Sequence, residues 1–213
     1  MPSYYLRNGD CGTERAFKII GTKWTPQIIE QIVHNSDSSY SEIKQKLRGI
    51  SDSMLSRKIA QLLENDIILR TENGTFALTQ KGDSILPAMT LMQKLANDCD
   101  YPNSGANSSV EYIGKLIGSK WKSRIIWIIF HSKVIRFNAL HNSIEGISHK
   151  ILIEQLNDLV ENGFVLKTDY LEKNPKVEYQ LTETGMQAYY IIQALSDWCL
   201  RYELIKPTIS ISY

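Results

Sequence analysis

Cysteine is scarce in this sequence of 213 residues, which contains 3, at positions 11, 99 and 199. An odd number without a CxxC pair argues against a disulfide framework and is typical of a reducing compartment. Long apolar runs are missing as well. The most apolar run, Ile125–Phe130, is far shorter than the roughly 18 residues of a membrane helix, and the polar segment Met1–Asp10 lacks the pattern of a signal peptide. We therefore expect a cytoplasmic protein that does not enter a membrane.

An excess of one charge is also missing, because 24 Lys and Arg residues accompany 23 Asp and Glu residues. Many nucleic-acid-binding proteins are visibly basic, so any DNA-binding surface here has to come from local clustering of cations. The sequence contains no nucleotide-binding glycine motif, no nucleophile elbow and no zinc-protease motif, and no cluster of His, Cys and Asp has the spacing of metal ligands. It thus predicts no enzymatic activity, no cofactor and no metal.

What the sequence does contain is an internal repeat. The segment Ile-Gly-Thr-Lys-Trp at 20–24 recurs as Ile-Gly-Ser-Lys-Trp at 117–121, an offset of 97 (117 − 20). The same offset relates Gly-Ile-Ser at 49–51 to Gly-Ile-Ser at 146–148. Matches in one register over this distance indicate two copies of one domain.

The repeat also indicates where the two domains begin and end. A single insertion of six residues in the second copy, before Leu181, changes the offset to 103 (181 − 78). The segment 100–109 is rich in Pro, Gly, Asn and Ser, as linkers are. We predict a first domain at 8–99, a linker at 100–109 and a second domain at 110–205.

The first copy begins with helical patterns separated by short polar segments. A helix over about 14–20 ends at Gly21, and a second begins near Thr25, where Pro26 suits the first turn. Tyr40 is expected to begin a short strand, and Ser41 to open a third helix.

A fourth helix and a hairpin follow. Ser51 is a good N-cap for this helix. Its apolar side chains have the spacing of a core-facing stripe: Leu55, Ile59 and Leu62. The apolar segments 67–71 and 75–79 flank Asn73-Gly74, a strong signal for a two-residue hairpin loop, and one long helix ends the copy. Two helices around a tight glycine turn and then a hairpin predict a mainly α fold with small β-hairpin wings, two winged helix-turn-helix domains in tandem.

These motifs resemble the HxlR family of bacterial regulators, a branch of the MarR-like winged helices. The resemblance rests on Ile-Gly-x-Lys-Trp and Gly-Ile-Ser in both copies and on Asn-Pro-Lys-Val-Glu-Tyr-x-Leu-Thr at 174–182. It covers about residues 11–202. The resemblance implies a sequence-specific transcriptional regulator whose partner is an operator in double-stranded DNA. Since family members usually dimerise, it also implies that the two copies pack as a pseudo-dimer within one chain, which can then act as a monomer; a small-molecule effector stays open.

In such a fold the fourth helix lies in the major groove and the hairpin forms the wing. Candidate DNA contacts are therefore the polar, basic and outward-facing positions near these elements. They are Lys23, Ser51, Ser53, Ser56, Arg57 and Lys58 in the first copy, and Lys120, Ser148, His149, Lys150, Ile153, Asn157, Lys173 and Lys176 in the second. Ile153 can contact a thymine methyl group or pack against protein, and the sequence leaves both open.

Several features leave alternatives open. The first wing carries no cation and Glu154 would repel phosphate, so either the two halves bind different half-sites or one half binds DNA poorly. The alternative function is a winged-helix protein-interaction module that has lost DNA binding. The resemblance places Cys11 where relatives have a cysteine that senses oxidants or electrophiles, and a plain packing residue is the alternative. Trp24 and Trp121 are expected to anchor the core.

Overall fold

The computed structural model describes residues 12–99, 101, 105–106, 108–170 and 176–202, with the backbone alone at Lys176. Its first repeat contains six helices and two strands among the described residues. They are α1 (Gly12–Ile20), α2 (Thr25–Asn35), α3 (Tyr40–Lys46), α4 (Asp52–Glu64), β1 (Ile68–Arg70), β2 (Phe76–Leu78), α5 (Gln80–Asp83) and α6 (Leu86–Asn97). The strands pair as an antiparallel hairpin in which Leu69 lies opposite Ala77.

The second repeat has the same order with one additional strand. Its elements are α7 (Ser109–Ile117), α8 (Lys120–Ser132), β3 (Val134–Arg136), α9 (Phe137–Asn142), α10 (His149–Glu161), β4 (Val165–Tyr170), β5 (Lys176–Leu181) and α11 (Glu183–Arg201). Strand β5 lies between β3 and β4, and both pairings are antiparallel. Mainly helical repeats with small hairpin sheets confirm the predicted winged-helix fold class. No helix among the described residues has the length and apolar character to cross a membrane.

The chain forms two compact units whose bounds differ from those of the repeats. One unit is Ala16–Gly114, and the other joins the described residues from Lys115 onward to Gly12–Arg15. In this second unit the Thr13 hydroxyl donates a hydrogen bond to the carbonyl of Ile192 at 3.2 Å, and the Cys199 thiol donates to the carbonyl of Gly12 at 3.0 Å. The first turn of α1 thus packs on α11. The domain bounds drawn from the repeat, 8–99 and 110–205, stay a prediction.

The cores of the two units are built from equivalent apolar stripes. On α4 the side chains of Leu55, Ile59 and Leu62 are buried, which confirms the predicted stripe. Their counterparts on α10 are buried in the same way: Leu152, Leu156 and Leu159. Because the buried residues recur every three or four positions, the opposite face of each helix is left at the surface.

The predicted strand at Tyr40 is wrong. The Ser39 side chain accepts a hydrogen bond from the backbone N–H of Glu42, whose carboxylate accepts one from the Ser39 N–H at 2.7 Å. This capping box begins α3 at Tyr40. The extended contact with the hairpin forms two residues earlier, where Ser38 and Phe76 bridge.

The predicted two-residue loop of the first hairpin is also wrong. The N–H of Thr71 donates to the carbonyl of Thr75 at 2.9 Å, and the N–H of Gly74 donates to the carbonyl of Thr71 at 3.0 Å. The loop is therefore Glu72–Gly74. Gly74 has a φ of 79°, the left-handed conformation that closes a three-residue hairpin loop, so the glycine was recognised but the loop is one residue longer.

The single long helix predicted at the end of the first repeat is divided into α5 and α6. Pro87 lies in the first turn of α6 and lacks the N–H that would donate back to α5 and continue one helix. Tyr190 occupies the matching position of the second repeat, at the offset of 103, and there α11 is continuous. The difference between the repeats thus comes from one imino acid.

Gly82 and Gly185 explain the recurrence of the Leu-Thr-x-x-Gly motif. A Cβ atom at Gly185 would overlap the carbonyl oxygen of Phe164, and one at Gly82 would overlap that of Ile67. The same carbonyl of Phe164 accepts a hydrogen bond from the N–H of Thr182 at 3.1 Å. Because helix and strand approach this closely, only glycine fits without a shift of the backbone.

Candidate nucleic-acid interface

Helices α4 and α10 begin with equivalent serine caps. The Ser51 side chain accepts a hydrogen bond from the N–H of Met54, and that of Ser148 accepts one from the N–H of Ile151, both at 3.2 Å. Both serines are exposed. The free N–H groups of an exposed helix N-terminus favour a phosphate group. The predicted cap at Ser51 is thus confirmed, and Ser148 caps the equivalent helix of the second repeat. The contact of either serine with DNA stays a prediction.

The outward face of α4 is polar and is held by α3. The Tyr40 hydroxyl donates to the carbonyl of Asp52 at 3.1 Å and lies 3.2 Å from the Ser56 hydroxyl. The ammonium of Lys44 donates to the carbonyl of Ile50 at 2.7 Å and lies 3.1 Å from the Asp52 carboxylate. Side chains of α3 therefore fix the first turns of α4, and Asp52 places a paired negative charge there.

The predicted DNA-contacting side chains on α4 differ in their exposure and in their hydrogen bonds within the protein. Ser53, Ser56 and Arg57 are exposed, and the Arg57 guanidinium lies along the helix with Nη2 3.0 Å from the sulfur of Met54. An exposed guanidinium held by one weak acceptor can turn to a base edge or phosphate at little cost. Arg57 is therefore the cation of α4 best placed to contact DNA.

Lys58 is placed differently from Arg57. It is half-buried, and its ammonium donates to the Thr22 hydroxyl at 2.8 Å. Burial lowers its pKa, and the charge of Arg57 lowers it further. The counterpart of Lys58 in the second repeat is Gln155, whose side-chain oxygen accepts from the Ser119 hydroxyl at 3.4 Å. The position thus links the helix to the loop before α2 or α8 in both repeats.

The same four positions carry different chemistry in the second repeat. At the offset of 97, Tyr40, Lys44, Asp52 and Ser56 correspond to Phe137, His141, His149 and Ile153. The rings of His141 and His149 lie 4.0 Å apart between centroids, and the ring of Phe137 lies 5.5 Å from that of His149. His141 also lies 3.1 Å from the carbonyl of Ile147 through Nε2. The contact with a backbone carbonyl is thus kept from Lys44 to His141, whereas aromatic packing replaces the other polar contacts of the first repeat.

The outward face of α10 combines a cation with an apolar side chain. His149, Lys150 and Asn157 are exposed, and Ile153 is 48% exposed. No acidic residue lies in the first turn of this helix. The N-terminus of α10 therefore suits phosphate better than that of α4, where Asp52 stands.

Lys23 and Lys120 each precede a tryptophan at matching positions of the two repeats. The ammonium of Lys23 is 5.2 Å from the ring centroid of Trp24, and that of Lys120 is 4.6 Å from that of Trp121. Both rings are only half-buried, so the prediction that they anchor the core is wrong. Trp24 has a φ of 76°, in the left-handed region, and is the N-cap residue of α2.

The wings differ in length. Strands β1 and β2 have 3 residues each, whereas β4 and β5 have 6 each. The backbone of Lys176 pairs with that of Tyr170 near the tip of the second wing. Lys173 and Cys11 lie outside the described residues. The described part of the chain contains no group of three or more His, Cys, Asp and Glu residues that could hold a metal ion.

The sequence did not predict which residues hold the first turns of α4 and α10. Tyr40, Lys44, Phe137 and His141 lie on α3 and α9, whose outward faces carry no motif. A signal was nevertheless present, because the contacting positions change together between the repeats: the polar set occurs in the first and the aromatic set in the second. Comparison of the two copies position by position would have paired them.

Comparison with known proteins assigns each repeat separately. The model of the HxlR-like helix-turn-helix family matches residues 19–103 and again residues 116–205. The chain is 34% identical over 88 residues to the HTH-type transcriptional regulator YdzF of Bacillus subtilis, which covers 41% of this chain and 81% of YdzF. It is 35% identical over 94 residues to an HTH-type transcriptional regulator of Methanothermobacter thermautotrophicus, covering 44% of this chain and 71% of that protein.

Two solved structures also each match less than half of this chain but nearly all of their own. The redox regulator HypR in its oxidized form is 31% identical, covers 44% of this chain and 96% of its own, and has a TM-score of 0.41. Diamide-treated YodB from B. subtilis is 29% identical, covers 46% of this chain and 95% of its own, and also has a TM-score of 0.41.

Proposed function

Since this chain belongs to the HxlR-like helix-turn-helix family, we propose that it is a transcriptional regulator that binds double-stranded DNA sequence-specifically, with α4 and α10 in the major groove. The observation that carries the proposal is the pair of serine-capped helices at equivalent positions. Each follows a shorter helix and a glycine of positive φ, Gly49 or Gly146, and each is followed by a hairpin. The regulator acts where its DNA is, in the cytoplasm.

The side chains on these helices support contact with a nucleic acid. Arg57 on α4 and Lys150 on α10 are exposed cations within two helical turns of the caps. Phosphate contacts from such cations and from helix N-termini position a protein on DNA, and neighbouring side chains then contact base edges. Local placement of these groups is sufficient although the whole chain has a formal net charge of only +1.

We further propose that the two repeats act as a pseudo-dimer on two adjacent half-sites. The support is the duplication itself and the packing of the first turn of α1 on α11 through Thr13 and Cys199. Because the halves are tethered, binding of one half raises the effective concentration of the other into the millimolar range, so weak individual half-sites suffice. One chain then occupies one operator, without a second chain.

Fluorescence anisotropy with the DNA upstream of the protein's own gene tests this function. We expect tight binding that weakens steeply with salt, one chain per site, and much weaker binding to random DNA. The double variant Arg57→Ala/Lys150→Ala is expected to weaken this binding, and because both side chains are exposed the fold is expected to survive. Equal affinity for random and upstream DNA, at every salt concentration, would instead support the alternative of a protein-interaction module.

A redox response through Cys11 is a second, separable proposal. Its support is the place of Cys11 in the sequence, directly before Gly12, because a cysteine near a helix N-terminus can be a reactive thiolate. The test is the same anisotropy measurement with and without a mild oxidant, on the wild type and on Cys11→Ser. We expect the oxidant to change the affinity of the wild type alone. A change of the same size in Cys11→Ser rules out this cysteine as the sensor.

A further inference from the structure

The outward faces of α4 and α10 differ in polarity at the position shared by Ser56 and Ile153. The hydroxyl of Ser56 lies 3.2 Å from that of Tyr40, so this position in the first repeat is polar and already hydrogen-bonded within the protein. Phe137 takes the place of Tyr40 in the second repeat and has no hydroxyl to bond. Ile153 is 48% exposed there, on the face of α10 opposite the buried leucines.

The neighbours of Ile153 define what it can contact. Lys150 lies three residues before it and Asn157 four residues after it, so all three share one face of α10, and all are exposed. A cation near the helix N-terminus suits a phosphate group, and the amide of Asn157 can donate to and accept from an adenine edge. An apolar side chain between two such groups has one complementary partner in the major groove, the 5-methyl group of thymine.

We propose that Ile153 packs on a thymine methyl group in the half-site bound by α10, and that the half-site bound by α4 has no equivalent contact. The operator is then not a palindrome, although the two domains share one fold. This inference rests on the proposed DNA-binding function and adds a specificity-determining residue to it. Exposed apolar surface on Ile153 is buried only when the methyl group is present, so the contact discriminates thymine from the other bases.

Removal of single methyl groups from the DNA tests the proposal. An operator fragment is first selected from a random pool with the full chain, and each thymine is then replaced by deoxyuridine, which keeps every hydrogen-bonding group. Burial of one methyl group is worth about fourfold in affinity. We expect a loss of this size at one thymine with the wild type and no loss at that thymine with Ile153→Ala.

The control is Ser56→Ala at the matching position of α4, which is expected to retain the full effect of the methyl group. Circular dichroism and thermal unfolding of Ile153→Ala are expected to match the wild type, since the side chain is half-exposed.

The proposal is overturned if no deoxyuridine changes the affinity, or if the loss persists in Ile153→Ala. A change in molecular mass of Ile153→Ala in solution, without any effect of the methyl group, would show that Ile153 packs against protein and would also overturn it. If selection returns no preferred DNA at all, the proposed function itself fails, a result that is distinct from preferred DNA without a methyl effect.

Discussion

Of two lysines on α4 and α10, only one is expected to change the salt dependence of DNA binding when its charge is removed. Lys150 is exposed at the start of α10, whereas the ammonium of Lys58 is half-buried and donates to Thr22 at 2.8 Å. Each can be replaced by the residue that the other repeat has at the matching position, as Lys150→Ser and Lys58→Gln. Both replacements are compatible with this fold, because the fold already contains them.

The magnitude follows from counterion release. Loss of one phosphate contact reduces the magnitude of the slope of log K against log salt by about 0.9. Between about 50 and 200 mM salt, the total loss of affinity is then smaller than in the wild type by a factor of about 3.5. We expect this reduction for Lys150→Ser. For Lys58→Gln we expect no change of slope, because its ammonium is hydrogen-bonded within the protein and release from Thr22 costs the free energy of that hydrogen bond.

Anisotropy titrations of the wild type and both variants against one operator fragment, at four salt concentrations, give the slopes. The reasoning is refuted if Lys58→Gln reduces the slope as much as Lys150→Ser, since Lys58 would then leave Thr22 on DNA binding. An unchanged slope for Lys150→Ser would remove this residue from the interface. The same titrations on random DNA separate the two kinds of contact. A phosphate contact changes the salt slope on any sequence, whereas a base contact changes the affinity for the operator alone.

Three further predictions concern specificity, packing and pH. Arg57→Ala is expected to weaken DNA binding by about 1–3 kcal/mol and to relax selectivity at one or two base pairs, which selection from a random pool would detect. Gly185→Ala is expected to lower the free energy of urea unfolding by about 3 kcal/mol, because its Cβ would overlap the carbonyl of Phe164. Gly163→Asp, at a position that requires only a positive φ, is expected to lower it by about 1 kcal/mol, and equal losses would contradict the overlap. Hydrogen bonds from its N-cap serine lower the pKa of Glu42, so its contribution to stability is present above the ordinary glutamate pKa and is lost as pH falls through the lowered value; Glu42→Gln is expected to lose this part of the acid dependence.

The outcome at Gly163 has a natural precedent in the chain. Asp66 occupies the matching position of the first repeat with a φ of 55°, so an aspartate is tolerated there in this fold. Gly185, in contrast, has glycine in both repeats. The two sites therefore separate backbone conformation from steric overlap as reasons for keeping a glycine.

Much of this protein was determined by its sequence alone. The duplication and the family could be predicted because the same motifs recur in one register, and the cap at Ser51 and the buried stripe of α4 because each depends on spacing along a few turns of chain. The start of α3 and the loop of the first hairpin were predicted one or two residues away from their places. There the capping box of Ser39 and the bulge at Gly74 outweighed simpler local signals.

The tertiary structure alone decided which surface residues are free and which are held. Lys58 and Arg57 are neighbours of similar charge in the sequence, yet one donates to Thr22 across 36 residues and the other lies exposed. The polar contact of Tyr40 with Ser56 and its aromatic replacement around His149 also join separate helices. Such pairings depend on how the elements pack, and the packing is a property of the whole core, so local patterns cannot encode them.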